Sequence, residues 1–215
     1  MKKKVDLIIF DFDGTLVNSQ ADIINSVNKM LLALGLPGKR PEEIAGFIGT
    51  GLKQLIIDVL GEASASKLKE AVKLYKDIYR KHMFDNTAMY PGVMEALEYF
   101  KDKKKIVISN KSKEFIELSL KKFKIEKFFI KVSGGDDDNC RKPSACPIIK
   151  VMKEFKVKQS ETIIVGDSFL DIQTGINAGI FTCGVTCGIG KKEDILALKP
   201  DFVIDRISKL KDILQ

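Results

Sequence analysis

From about residue 90 onward the chain alternates short apolar runs with stretches of helical spacing, and that alternation is the mark of a parallel α/β sheet. The spacing predicts strands at 105–109 (KIVIS), 127–132 (KFFIKV), 162–166 (TIIVG), 180–186 (IFTCGVT) and 201–204 (DFVI). It predicts helices near 91–102, 112–123, 145–156, 169–178 and 206–214, with Ser112 as an N-cap and Pro147 in a first turn. The run VDLIIF (5–10) belongs to the same sheet by composition, yet a long intervening stretch separates it from the second strand. Residues from about 19 to 88, including ADIINSVNKMLLALGL and ASKLKEAVKLYKDIYRKHMF, carry helical spacing and no convincing strand. The expected architecture is a doubly wound, Rossmann-like parallel sheet formed by 1–15 and 89–215, with a helical cap of 16–88 inserted after the first strand.

A length of 215 residues, 45% of them apolar, suffices for a core domain and a small satellite. No apolar run approaches the roughly 18 residues of a membrane span, and MKKKVDLIIF lacks a signal-peptide cleavage site, so a cytoplasmic protein is expected. Cys140, Cys146, Cys183 and Cys187 are sparse for this length, so reduced thiols are expected rather than a disulfide framework or a zinc site. The net charge of +7 comes from scattered lysines, and KKFKIEKFFIK (121–131) reads as an apolar face with a solvated lysine side rather than a nucleic-acid surface. Such a surface also draws in a small anionic substrate. His82, the single histidine, reads as a surface or packing residue, and the acidic run 136–138 as a solvated turn.

In a doubly wound sheet the ligand crevice lies beyond the carboxyl ends of the strands. Those ends deliver Asp11, Phe12, Asp13, Gly14 and Thr15; then Ser109, Asn110 and Lys111; then Lys142; then Asp167 and Asp171. Period-two alternation puts Asp11 and Asp13 on one side of the chain, where two carboxylates repel unless a cation joins them. The oxygen-only set Asp11, Asp13 and Asp167, with Asp171 in support, suits Mg²⁺. Lys142 adds a compensating charge, and Ser109 and Asn110 add donors for phosphoryl oxygens. Together they form a cradle for a transferring phosphoryl group.

Four motifs in order, DFDGTL (11–16), VISN (107–110), RKPSACP (141–147) and GDSFLDI (166–172), resemble those of the haloacid dehalogenase superfamily over essentially the whole chain. The resemblance implies an aspartyl-phosphate chemistry with Asp11 as nucleophile and Asp13 as general acid and base. It also implies phosphate binding by Ser109, Asn110, Lys142 and Thr15. GFIGTGLKQL (46–55) and GGDDDNCRKP (134–143) resemble stretches of phosphoglycolate phosphatases, which makes Gly49 and Gly51 cap-loop substrate contacts. The family's KPxPxP stretch here reads Lys142-Pro143-Ser144-Ala145-Cys146-Pro147, without its middle proline.

The expected activity is Mg²⁺-dependent hydrolysis of a small phosphomonoester, with 2-phosphoglycolate first. The expected partner is a small phosphorylated metabolite, with neither nucleic acid nor membrane; the oligomeric state has no reading in the sequence. A sugar phosphomutase is disfavoured because the cap loop offers Thr50, Leu52 and Lys53 where that branch has an arginine. A phosphonate hydrolase would need a Schiff-base lysine, and Lys53 lies one residue too far from Gly49. A non-enzymatic binding role would leave intact motifs idle.

Overall fold

The computed structural model describes residues 2–137 and 139–215, and of residues 63–65 the backbone alone. Along the chain run β1 (Leu7–Phe10), β2 (Val17–Asn18), α1 (Gln20–Ala33), α2 (Pro41–Ala45), α3 (Leu52–Leu60), α4 (Ser64–His82) and β3 (Ala88–Met89). They are followed by α5 (Val93–Tyr99), β4 (Lys104–Ile108), α6 (Lys113–Lys122), β5 (Lys131–Ser133), α7 (Cys146–Phe155) and β6 (Thr162–Gly166). The chain closes with α8 (Phe169–Ala178), β7 (Phe181–Val185), α9 (Lys192–Ala197), β8 (Phe202–Ile204) and α10 (Leu210–Ile213).

Six strands form one parallel sheet in the order β5-β4-β1-β6-β7-β8. Both faces are covered, so the strands read as continuous apolar runs rather than as alternations. Ile8, Phe10, Val107, Ile163, Val165, Cys183 and Val185 pack one face, together with Val93, Leu97, Ile116 and Leu210 from the helices. Leu7, Ile9, Ile106, Ile108 and Ile164 pack the other, against Ile148, Val151 and Met152 of α7. A one-residue slip in any of these strands would exchange its two packed faces, which holds the register.

The position of β1 decides where the site forms. It lies between β4 and β6, with Phe10 paired to both Val107 and Val165. The chain therefore departs from β1 to opposite sides of the sheet, which makes its carboxyl end a topological switch point.

Helices α1 to α4 carry a separate apolar cluster that includes Val27, Met30, Leu31, Ile44, Ile56, Val59, Tyr75 and Tyr79. The stripes VNKMLLAL and KLYKDIYRKHMF supply much of it, as their spacing implies. Where the sequence showed no strand, the two-residue β2 and β3 pair antiparallel, Val17 with Met89 and Asn18 with Ala88, at the entry and exit of these helices. Asp22 fastens the same junction: its buried carboxylate accepts hydrogen bonds from the backbone N–H groups of Asn86 and Thr87 and from both of their side chains. Burial pushes the Asp22 pKa up, but the Thr87 and Asn86 donors outweigh it and hold the carboxyl below its ordinary value.

Three expectations need correction. The strand expected at 127–132 is a 3-10 turn at Glu126–Phe128 followed by β5, because Phe128 and Phe129 pack onto the sheet's core instead of extending along its edge. A short helix, α9, occupies 192–197, where none was expected. Cys140 and Cys146 form a disulfide, against the expectation of reduced thiols. The chain turns between them, with Ser144 N–H donating to Arg141 O at 2.9 Å, and their Cα atoms come within 5.2 Å. Cysteine scarcity over the whole chain carries no information about such a local pair.

Elsewhere Cys183 is a free buried thiol in β7 and Cys187 a free exposed one. His82 is at the surface beside Asp85, 2.8 Å away. Of the acidic run 136–138, Asp136 and Asp137 are exposed and Asp138 lies outside the described residues. Among the described residues no helix is long and apolar enough to cross a membrane.

Candidate active site

The ladder continues one residue past β1, where Asp11 N–H donates to Val165 O at 2.9 Å. That bond holds Asp11 at the mouth of the sheet, between the exits of β4 and β6. Asp11, Asp13, Ser109, Lys142 and Asp167 line a cavity of about 760 Å³, whose opposite wall comes from α1, α3 and α4 and from the glycine loop at 49–51. Gly49 and Gly51 line it too, both at φ near the left-handed region (96° and 95°). A Cβ on Gly51 would meet the Arg141 guanidinium at 3.0 Å, so the loop lies close against the chain beside Lys142.

Three carboxylates converge at the sheet end: oxygens of Asp11, Asp167 and Asp171 lie within 4.8 Å of one another, and all three residues are buried. Asp171 is the third residue of α8 and forms a capping box with Ser168, accepting at Oδ2 from the Ser168 hydroxyl (2.6 Å) and N–H (3.1 Å). Asp167 accepts from the Thr15 hydroxyl (2.7 Å) and from the N–H groups of Ile189 (2.8 Å) and Gly190 (3.1 Å). Gly14 makes room for it, since a Cβ there would fall 2.1 Å from Asp167 Oδ2. The Lys142 ammonium is ion-paired with Asp11 Oδ1 at 2.7 Å and with Asp171 Oδ1.

Three anions and one cation leave this cluster short of positive charge. Burial, then Asp171, push the Asp11 pKa up to about 7, although Lys142 pulls against them. Burial and Asp171 raise Asp167 to about 6. Burial alone would lower Lys142, but Asp11 and Asp171 more than offset it and hold its pKa above the ordinary lysine value. Asp11 Oδ1 has the Lys142 ammonium as its one charged partner. A buried oxygen-only set with excess negative charge fits a hard divalent cation.

Several expected site residues take other partners. The Asp13 carboxylate lies outside the cluster: Ser19 Oγ donates to its Oδ1 at 2.5 Å, and Lys111 Nζ reaches Oδ1 and Oδ2 at 2.8 and 3.1 Å. Asp171, expected in support of the metal set, is the third carboxylate of the cluster. Asn110 spends its amide on the backbone, Nδ2 donating to Gly49 O and Lys142 O and Oδ1 accepting from Lys142 N–H, each at 3.0 Å. It clasps the glycine loop to the lysine segment and is not among the residues lining the cavity. Thr15 likewise orients Asp167 rather than facing the cavity. Tyr79 and Ser19 had no signal in the sequence, and Lys111 was legible only as a polar residue at a strand exit.

The comparisons with known proteins point the same way. A family model described as haloacid dehalogenase-like hydrolase matches residues 8–185. The chain is 32% identical to a phosphoglycolate phosphatase of Vibrio parahaemolyticus, over 99% of this chain and 97% of that protein. It is also 32% identical to the pyrophosphatase PpaX of Bacillus mycoides, over 98% and 97%. A crystal structure described as a predicted phosphoglycolate phosphatase from Haemophilus somnus superposes with a TM-score of 0.92 at 28% identity, covering 97% of each chain. A parallel sheet with carboxylates at its switch point, matched by that family along most of its length, places this chain in the haloacid dehalogenase-like hydrolase family.

Proposed function

We propose that this hydrolase is a Mg²⁺-dependent phosphatase acting on a small phosphomonoester, with 2-phosphoglycolate the leading substrate. The observation that carries the reading is the division of the acids into two groups. Asp11 belongs to the buried cluster with Lys142, whereas Asp13 stands apart on the same cavity with its own partners. That division supports a reading in which one carboxylate bonds to phosphorus and a second handles the proton.

Asp11 attacks phosphorus, the ester P–O bond breaks, and Asp13 gives a proton to the departing alkoxide. Asp13 then takes a proton from the water that attacks the aspartyl-phosphate, releasing phosphate and restoring Asp11. Lys142 and Ser109 face the phosphoryl oxygens from the cavity wall. Asp11, Asp167 and Asp171 would hold the cation, which when bound supplies the positive charge that lets these carboxylates and a phosphate coexist. Residues 16–88 act as the cap: hinged where β2 pairs with β3, they close the glycine loop over the ester and exclude bulk water. The relatives support both a phosphoglycolate and a pyrophosphate substrate, since proteins so named match nearly end to end.

The test is phosphate release from 2-phosphoglycolate, pyrophosphate, hexose phosphates and phosphonoacetaldehyde. The expected result is highest kcat/KM on 2-phosphoglycolate, silence in EDTA and recovery with Mg²⁺. Hydrolysis that persists in EDTA, or flat low rates on every compound, would contradict it.

A pH dependence follows from the raised carboxylates. Asp11 and Asp167 hold protons in the folded state up to about 7 and about 6, against an ordinary value of 3.8. Between those limits the folded protein binds more protons than the unfolded chain, so these two groups lower metal-free stability as pH rises. A bound cation favours their ionised forms. The Tm increase produced by Mg²⁺ is therefore expected to grow between about pH 5 and about pH 8. An increase that is flat or shrinks with pH would place the cation elsewhere.

A further inference from the structure

Lys111 lies between the proton-handling acid and the cap. Its ammonium contacts both oxygens of Asp13 and also the Tyr79 hydroxyl, at 2.7 Å, on α4. The Lys111 and Asp13 side chains are 8% and 11% exposed, so the pair is nearly enclosed. Tyr79 is itself fixed, stacked on Tyr75 at 5.4 Å between ring centroids and set edge-on to Phe115 at 5.0 Å. The Lys111 ammonium also stands 4.7 Å from the Tyr79 ring centroid.

The cations of the cavity wall show what this arrangement can recognise. Among the described lining residues they are Lys111, Lys142 and Lys191. Lys142 is committed to Asp11 and Asp171, and Lys191 is exposed at the start of α9. No lysine or arginine from α1 to α4 lines the cavity; that wall offers apolar side chains, tyrosines, amides and the exposed carboxylate of Glu42. A second negative charge on the leaving group thus meets one enclosed cation, Lys111. Because Lys111 touches Asp13, it favours a charge held close to the ester oxygen, as on the carbon next to the ester carbon.

Resting on the phosphatase reading, we propose that Lys111 is the specificity residue and that the substrate class is phosphomonoesters of small 2-hydroxy acids. An ammonium has three N–H donors and no acceptor. With one donor on Tyr79, the other two are shared between Asp13 and the incoming carboxylate. The substrate carboxylate draws Lys111 away from Asp13 and leaves that acid free to reach the ester oxygen. An ester lacking the carboxylate leaves the Lys111–Asp13 pair closed. Selection for the acid then comes from the same ammonium that holds the proton-transfer group in reserve.

The test compares 2-phosphoglycolate with 2-hydroxyethyl phosphate, a near-isostere without the carboxylate. In the wild-type enzyme the kcat/KM ratio is expected to favour 2-phosphoglycolate by about 10- to 100-fold, the range of a charge-assisted hydrogen bond. Lys111→Met is expected to collapse that ratio towards one, and Lys111→Arg to keep part of it. A wild-type ratio near one overturns the proposal whether or not the variants fold. Equal losses on both esters in Lys111→Met also overturn it, because they make Lys111 only a positioning residue for Asp13. Hydrolysis of neither ester but of another compound in the panel also overturns the proposal, whereas hydrolysis of none of them fails the phosphatase reading itself.

Discussion

Asp11→Asn is expected to lower phosphate release by about 10⁴-fold or more, the scale on which removing a nucleophile acts. The amide is nearly isosteric but cannot form the acyl phosphate. The same substitution is expected to leave the metal-free fold at least as stable at neutral pH. Asp11 is a buried carboxylate whose pKa is pushed up to about 7 by burial and by Asp171, so its charge is a cost to the folded state. Replacing it with a neutral group removes one of three crowded anions. Phosphate release and thermal unfolding measured on one preparation separate the two effects. More than a trace of activity in a folded variant would remove Asp11 from the covalent role, and a large loss of stability would mean that the Asp11 charge supports the fold through Lys142.

Lys142→Met is expected to fail in both respects. Lys142 is the one cation paired with the buried carboxylates among the described residues, and its side chain is 3% exposed. Breaking a buried ion pair from one side costs about 3–5 kcal/mol, because the remaining charge has lost its partner. Here two partners, Asp11 and Asp171, are left without it. Turnover should fall by about 10³-fold, since a fixed charge facing the phosphoryl group is lost. The stability loss should be smaller at mildly acidic pH, where Asp11 takes up a proton. It should also be smaller in Mg²⁺, which can replace the missing charge. Unfolding curves at two pH values, with and without Mg²⁺, check this; a loss independent of both would mean that Lys142 acts through packing alone.

The sheet was legible because its strands are buried on both faces and end in polar groups. The exits of β1, β4 and β6 point to Asp11, Ser109 and Asp167, and the same rule points to Lys142; all four line the cavity. Harder to read was which way each polar side chain turns once it arrives. Asn110 and Thr15 have the chemistry of phosphate donors, yet Asn110 bonds backbone atoms 61 and 32 residues away, and Thr15 bonds Asp167 across 152 residues. Local alternation groups Asp13 with the metal ligands, but its carboxylate is taken by Ser19, six residues on, and by the distant Lys111. The Cys140–Cys146 bond depends on a turn between the two residues that composition cannot register. Long-range contacts decided each of these outcomes, and period-two and period-3.6 patterns do not encode them.

The most direct measurement is a single turnover with enzyme in excess over 2-phosphoglycolate, quenched in acid on the millisecond scale and digested for mass analysis. A transient gain of about 80 Da, one phosphoryl group, is expected on the peptide containing Asp11. It should form and decay at rates compatible with kcat, and be absent in Asp11→Asn. Phosphate release at full rate with no labelled peptide, or a label on any other residue, would contradict the covalent role assigned to Asp11.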